Sequence, residues 1–376
     1  MRTRPLAPLL LLLVVTGCGT TATQVAPTAS SVPSTVAGTP STVAGTPSPA
    51  LTPAPTSTTT PTSAGTPAPT STAVPTSTPA PSPAPIPSLS ASGGGVIAFA
   101  SREGSEPQVY VMNADGSGRA QVTGGTKGGY EPGWSPDGTK IVFQYSGLQV
   151  ADLATGGIVR LPLTGKSKDL PNEYLVKPAW SPDGRWIAFI NESGTRGDIY
   201  LVRPDGTDMR RLTDTDDVSR DGDLVWSPDG KQLAYSAYRT GNIEIYVLDV
   251  DGALQGGAAS AQLTDTLPPV RNLVTSWSPD GKRLAFSSDR DGNAEIYLMN
   301  VDGSDVVRLT KDPASDTEAD WSPDGRLIAF TSDRDGNRDV YVLDVGEAIK
   351  DPDNASGTRL TDQSGDDVGP AWRPVR

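Results

Sequence analysis

The chain has 376 residues and a net charge of −13, with no histidine and one cysteine, Cys18. Those counts exclude imidazole-based catalysis, a disulfide framework and a Cys/His zinc site. Residues 1–92 carry only Arg2 and Arg4 as charged side chains, which leaves 29 basic against 44 acidic side chains in residues 93–376. A domain that acidic repels phosphate backbones and anionic lipid head groups, so no nucleic acid and no direct membrane-surface binding is expected.

The chain opens with MRTRPLAPLLLLLVVTGC, a basic start followed by an apolar run over Leu9–Val15. That run falls well short of the roughly 20 residues a spanning helix needs, so residues 1–17 are expected to be an export signal. Val15-Thr16-Gly17-Cys18 resembles the bacterial lipobox. The resemblance implies cleavage before Cys18 and lipid attachment to its sulfur; a plain secretory signal is the alternative. Residues 18–92 are rich in Pro, Thr, Ser and Ala and hold no charge. They have too little apolar surface to form a core and are expected to be a disordered linker, spanning about 230 Å if fully extended at ~3.1 Å per residue.

From residue 93 onward the chain repeats itself. WSPDG occurs at 134–138, 180–184, 226–230, 277–281 and 321–325, and Trp372 stands in PAWRPVR near the end. The period is that of a propeller blade. Each WSPDG is followed by a short apolar run such as RLAFSS, a turn best seen as DRDGN at 289–293 and 333–337, and a second run such as AEIYLMN. A second Asp-Gly turn then leads to a short RLT segment and a variable polar loop. Runs of strand length punctuated by such turns are hairpin signals, and no useful length has helical periodicity. Ser-Pro-Asp-Gly suits a type I turn closed by a left-handed glycine, with the tryptophan free to pack between blades.

The expected fold is all-β: a six-bladed β-propeller of four-stranded blades anchored by Trp134, Trp180, Trp226, Trp277, Trp321 and Trp372. The run at 95–101 lacks an innermost strand before it, and 366–374 is an innermost strand with nothing after it. The two are expected to pair, with the C-terminal strand closing the ring beside the N-terminal strands. The repeat, read as IAFxSxRDGNxEIYxMxxDGxxxRLT followed by PxWSPDG, resembles the TolB-type (WD40-like) propeller repeat over nearly all of residues 93–376. Residues 283–325 and 327–361 match most closely and residues 141–180 least. The resemblance implies the fold and an extracytoplasmic, cell-envelope setting.

The loops entering each tryptophan strand vary, and variable loops on a rigid scaffold are where binding usually lives. Loops 213–223, 311–320 and 361–371 are acidic, whereas loop 165–178 carries Lys166, Lys168 and Lys177. Five residues before the tryptophan stand Asp221, Asn272, Asp316 and Asp367, the candidate ligand- or partner-binding set near the channel mouth. They are expected either to hold Ca2+, to receive a basic protein or peptide of the envelope, or simply to cap turns. The DRDGN glycine does not sit where an EF-hand loop requires it. With neither histidine nor GxSxG, no catalytic residue is assigned. The expected function is therefore a lipid-anchored, monomeric binding or scaffolding module at the bacterial membrane surface. A carboxylate-based hydrolase of carbohydrate or peptide is the alternative.

Overall fold

The computed structural model describes residues 95–124, 128–163, 175–193, 196–215, 217–219, 222–239, 241–257, 260–353, 355 and 357–375. The expected signal, linker and lipid site at Cys18 lie outside them, as do Asp221, Lys166 and Lys168.

The described chain is almost entirely antiparallel sheet. Strands β1 (Val96–Ser101), β2 (Gln108–Asn113) and β3 (Ala120–Gln121) open it. Next come β4 (Tyr130–Trp134), β5 (Lys140–Gln144), β6 (Leu148–Asp152) and β7 (Ile158–Arg160), paired in that order. Strands β8 (Leu175–Trp180), β9 (Ile187–Ser193), β10 (Arg196–Val202) and β11 (Arg210–Arg211) pair likewise. After a two-residue strand β12 (Val218–Ser219) follow β13 (Val225–Trp226), β14 (Gln232–Arg239), β15 (Asn242–Asp249) and β16 (Ala261–Gln262), with helix α1 (Val250–Leu254) between the last two. Two further sheets are β17 (Asn272–Trp277) to β20 through β18 (Arg283–Ser288), β19 (Glu295–Asn300) and β20 (Val307–Arg308), and β21 (Asp316–Trp321), β22 (Leu327–Ser332), β23 (Asp339–Asp344) and β24 (Thr358–Arg359), with helix α2 (Val345–Lys350) before β24. The last strand, β25 (Asp367–Trp372), pairs with β1 rather than with a sheet of its own. The tryptophan strands touch in the order β4, β8, β13, β17, β21, β25, and β25 touches β4.

WSPDG explains itself residue by residue. In all five copies the serine hydroxyl donates to the aspartate carboxylate, at 2.6–2.7 Å, while accepting the N–H five residues on at 2.9 Å. The glycine is left-handed, with φ between +64° and +72°. At Gly184 a Cβ would stand 3.3 Å from Pro136 of the preceding copy, so neighbouring turns nest. The indole N–H of Trp134, Trp226 and Trp277 donates to the carbonyl just before the preceding tryptophan: Ala371, Ala179 and Val225.

The core lies between adjacent sheets and is built by two motifs. The aromatic of the first run stacks on the tyrosine of the second, as in Phe286–Tyr297 and Phe99–Tyr110, with centroids 5.5 and 5.8 Å apart. Each buried phenylalanine contributes roughly 1.5–3 kcal/mol. The acid before that tyrosine run is neutralised by the RLT segment: Glu295 accepts from Arg308 and Thr310, both at 2.7 Å. Asp339 is held likewise by Arg359 and Thr361.

Two features depart from the expected pattern. The Asp-Gly turn is replaced by α1 and α2, capped by Asp249 and Asp344 accepting from Gly252 N and Glu347 N. Loop 213–223 is not free: β12 pairs with β10 on one side and with Ala237 of β14 on the other.

Candidate functional site

Charged residues that line the interior chambers come from an irregularity in the tryptophan strands. Register breaks between Tyr130 and Gly133, Val176 and Ala179, Thr317 and Asp320, and again between Val368 and Ala371. One extra residue per strand is a β-bulge, which re-aims a side chain. Three residues before the tryptophan, Glu131, Lys177 and Glu318 take φ of +53° to +55°, and Gly369 takes +62°. A non-glycine residue there bears on the order of 1–2 kcal/mol of strain, so its side-chain contacts must repay it. Asp223 holds the same offset from Trp226.

These side chains meet. Lys177 Nζ lies 3.0 Å from Asp223 Oδ1 and 3.3 Å from Glu131 Oε1, and the Lys177 backbone N–H donates to Glu131 Oε2 at 2.7 Å. Glu318 Oε2 accepts Thr331 Oγ1 and the Gly369 N–H, both at 2.9 Å. Asp320, one residue before Trp321, accepts the Trp372 N–H at 2.7 Å. The cluster stands where two chambers of the channel join. One, of about 1070 Å³, is lined by the tryptophan strands and prolines of the SPDG turns; the other, of about 710 Å³, opens past Arg271, Asp333 and Arg338. Glu131, Lys177, Asp223, Thr275 and Glu318 line both.

Electrostatics follow from one ammonium serving several carboxylates. Burial acts to lower the Lys177 pKa, but Asp223, Glu131 and Glu318 together hold it above its ordinary value. Burial raises Asp223; Lys177 opposes this, and Glu318 and Glu131 add to it. Burial thus outweighs the Lys177 ammonium, which Asp223 shares with Glu131. Asp320 is pushed up to about 7 by burial, against the Trp372 N–H and with help from Asp223. Its side chain is half-buried and lines the wider chamber.

The residues five before the tryptophan go elsewhere. Asn272, Asp316 and Asp367 are fully buried inside the sheets. Asn272 accepts from Arg290 at 2.8 Å, Asp316 takes both ends of its carboxylate to Arg334, and Asp367 lies 3.6 Å from Arg119. The first two contacts hold the DRDGN arginines Arg290 and Arg334, the third an arginine just before β3, and none of the three acceptors lines the channel. Asp217, in the acidic loop before Trp226, is paired with Arg239. Among the described residues no group of three or more His, Cys, Asp or Glu side chains is arranged to hold a metal ion. The signal that marks the channel set is charge at one shared offset, Glu131, Lys177, Asp223 and Glu318, in strands that are otherwise apolar or small there.

Residues 266–352 match the family model of the TolB beta propeller domain. The chain carries a TolB-type β-propeller. A TolB homologue of Chlorobium luteolum is 31% identical over 56% of this chain, and an uncharacterised protein of Agrobacterium fabrum is 30% identical over 49%. The matches cover 46% and 59% of those relatives, so the chain spans about half the length of the curated relatives it matches. Among solved structures, TolB of Acinetobacter baumannii superposes with a TM-score of 0.61 at 22% identity, over 75% of this chain and 67% of that one. A TolB-like structure from Agrobacterium tumefaciens gives 0.55 at 23%, over 75% and 98%. At that identity the likeness speaks for the TolB fold alone. No helix among the described residues is long and apolar enough to cross a membrane.

Proposed function

We propose that this TolB-type propeller is a six-bladed closed ring, tethered by lipid on Cys18 through the linker of residues 18–92, that binds a protein or peptide of the cell envelope. Support for six blades comes from the cyclic order of the tryptophan strands and the pairing of β25 with β1. The partner inserts a cationic side chain or terminus into the channel rather than resting on the entry loops. One observation carries this reading: the channel centre already seats an ammonium, Lys177, among Glu131, Asp223 and Glu318. The propeller acts as a monomer, and catalysis is not part of this reading.

The test uses the full chain as bait in envelope extract. A Glu131→Gln/Asp223→Asn/Glu318→Gln variant keeps the hydrogen-bond acceptors and removes the charge. Loss of the captured partner, with folding retained, is expected; undiminished capture contradicts the reading.

A second reading, a carboxylate-based hydrolase, draws on Asp320. A carboxyl that is half protonated near neutrality, beside Asp223, is suited to general acid work. Turnover of glycan or peptide that vanishes with Asp320→Asn would carry it; no turnover by the native chain dismisses it.

A further inference from the structure

Lys177 is out of keeping with its equivalents. At the same offset stand the acids Glu131, Asp223 and Glu318, the apolar Val274 and glycine at 369. Its side chain is only 10% exposed and sits where the two chambers join. Thr275 also lines both chambers, and its buried Oγ1 has no hydrogen-bond partner among the described residues. An ammonium on a flexible four-carbon stem can withdraw into either chamber, while Glu318 is fixed by Gly369 N and Thr331, and Glu131 is held by the backbone N–H of Lys177 rather than by its ammonium alone.

We propose that Lys177 is a tethered cation that fills the channel's anionic seat until an ammonium or guanidinium group of a ligand replaces it. The inference rests on the channel being the cation-accepting site described above. Exchange of like for like conserves the charge pairing, so the ligand need not bear the cost of leaving carboxylates buried without a counter-ion. Self-occupancy lowers the apparent affinity by the fraction of time the seat is free. Lys177 thereby sets which ligands succeed: a slender alkylammonium or guanidinium chain with a second contact in the chambers displaces it, and a lone small cation does not.

Lys177→Gly isolates the effect, because glycine suits the left-handed backbone at 177 and already stands at the equivalent position 369. Spermidine serves as the probe, titrated calorimetrically into the full chain at fixed ionic strength. The expected result is at least about tenfold tighter binding by Lys177→Gly than by the native chain, and no tightening in Lys177→Arg. Equal or weaker binding by Lys177→Gly overturns the role of Lys177 while leaving a cation-accepting channel in place. If neither protein binds spermidine, the cation-accepting channel falls as well. Should the glycine variant fail to fold, Lys177→Asn, which also tolerates the left-handed backbone, carries the same comparison.

Discussion

Asp320 on β21 reaches across to the last strand and accepts the backbone N–H of Trp372 at 2.7 Å. The residues just before the other five strand-end tryptophans are Gly133, Ala179, Val225, Ser276 and Ala371, none of which carries a carboxylate. Together with Glu318, which accepts the Gly369 N–H, it fastens β25 to β21 on the side opposite to the β1 pairing. The C-terminal strand is thus held from both sides, on one by a ladder and on the other by carboxylates.

That contact carries a pH signature. Burial raises the Asp320 carboxyl to about 7, so between its unfolded value near 4 and about 7 the folded chain holds the extra proton. Stability from this group is therefore fully present at low pH and is lost as pH rises through that window. Asp320→Asn keeps an acceptor for Trp372 and abolishes the titration. Melting curves from pH 5 to 8 should fall for the native chain and be flatter for the variant. By pH 8 the variant should be more stable by on the order of 1–2 kcal/mol, a figure discounted for channel water.

Asp316 tests the reading that the buried acids five before each tryptophan are structural. Asp316→Ala removes the nearest carboxylate of the Arg334 guanidinium, which keeps Ser332 and the more distant Asp312, and should cost up to about 3–5 kcal/mol in urea unfolding. Partner capture by the folded fraction should persist, because Asp316 does not line the channel.

Two glycines of similar backbone separate clash from strain. Gly336 has φ +104° and open space around its missing Cβ, whereas at Gly303, with φ +84°, a Cβ would stand 2.4 Å from the Leu263 carbonyl oxygen. Gly336→Ala should lose on the order of 1–2 kcal/mol. Gly303→Ala should lose distinctly more, since a backbone oxygen of the neighbouring sheet cannot rotate away. Paired denaturation curves decide it.

The proposed tether is tested by Cys18→Ser. Lipid attachment requires the sulfur, so the variant should leave the membrane fraction on cell fractionation; undiminished membrane retention contradicts the anchor.

Much of the fold was legible because its instructions repeat. Ser, Asp and Gly each do the same job in all five WSPDG copies, and the Phe–Tyr stack and the Glu295–Arg308–Thr310 cluster recur with the repeat. What did not repeat was not legible. β12 is two residues in a polar loop, recognisable only by the neighbours it bridges. The start of α2 left a trace in the Asp344-x-x-Glu347 spacing, but six residues are too few for periodicity. The residues five before the tryptophan lie inside the sheets, not at the mouth, for a physical reason. Strand alternation puts the residues one, three and five before the tryptophan on one face, and the bulge inserts an extra residue between the fifth and the first. Asp316 therefore turns into the sheet and Glu318 into the channel.

The central claim is that the partner enters the channel, and crosslinking from inside it is the direct measurement. A photoreactive residue at Arg338, which lines both chambers, is compared with one at Val159, which is 63% exposed on the outer strand β7. Irradiation in envelope extract should yield a discrete adduct from position 338 that disappears with Glu131→Gln/Asp223→Asn/Glu318→Gln, and none from position 159. An adduct from position 159 alone, or one from 338 indifferent to the three carboxylates, would contradict the account.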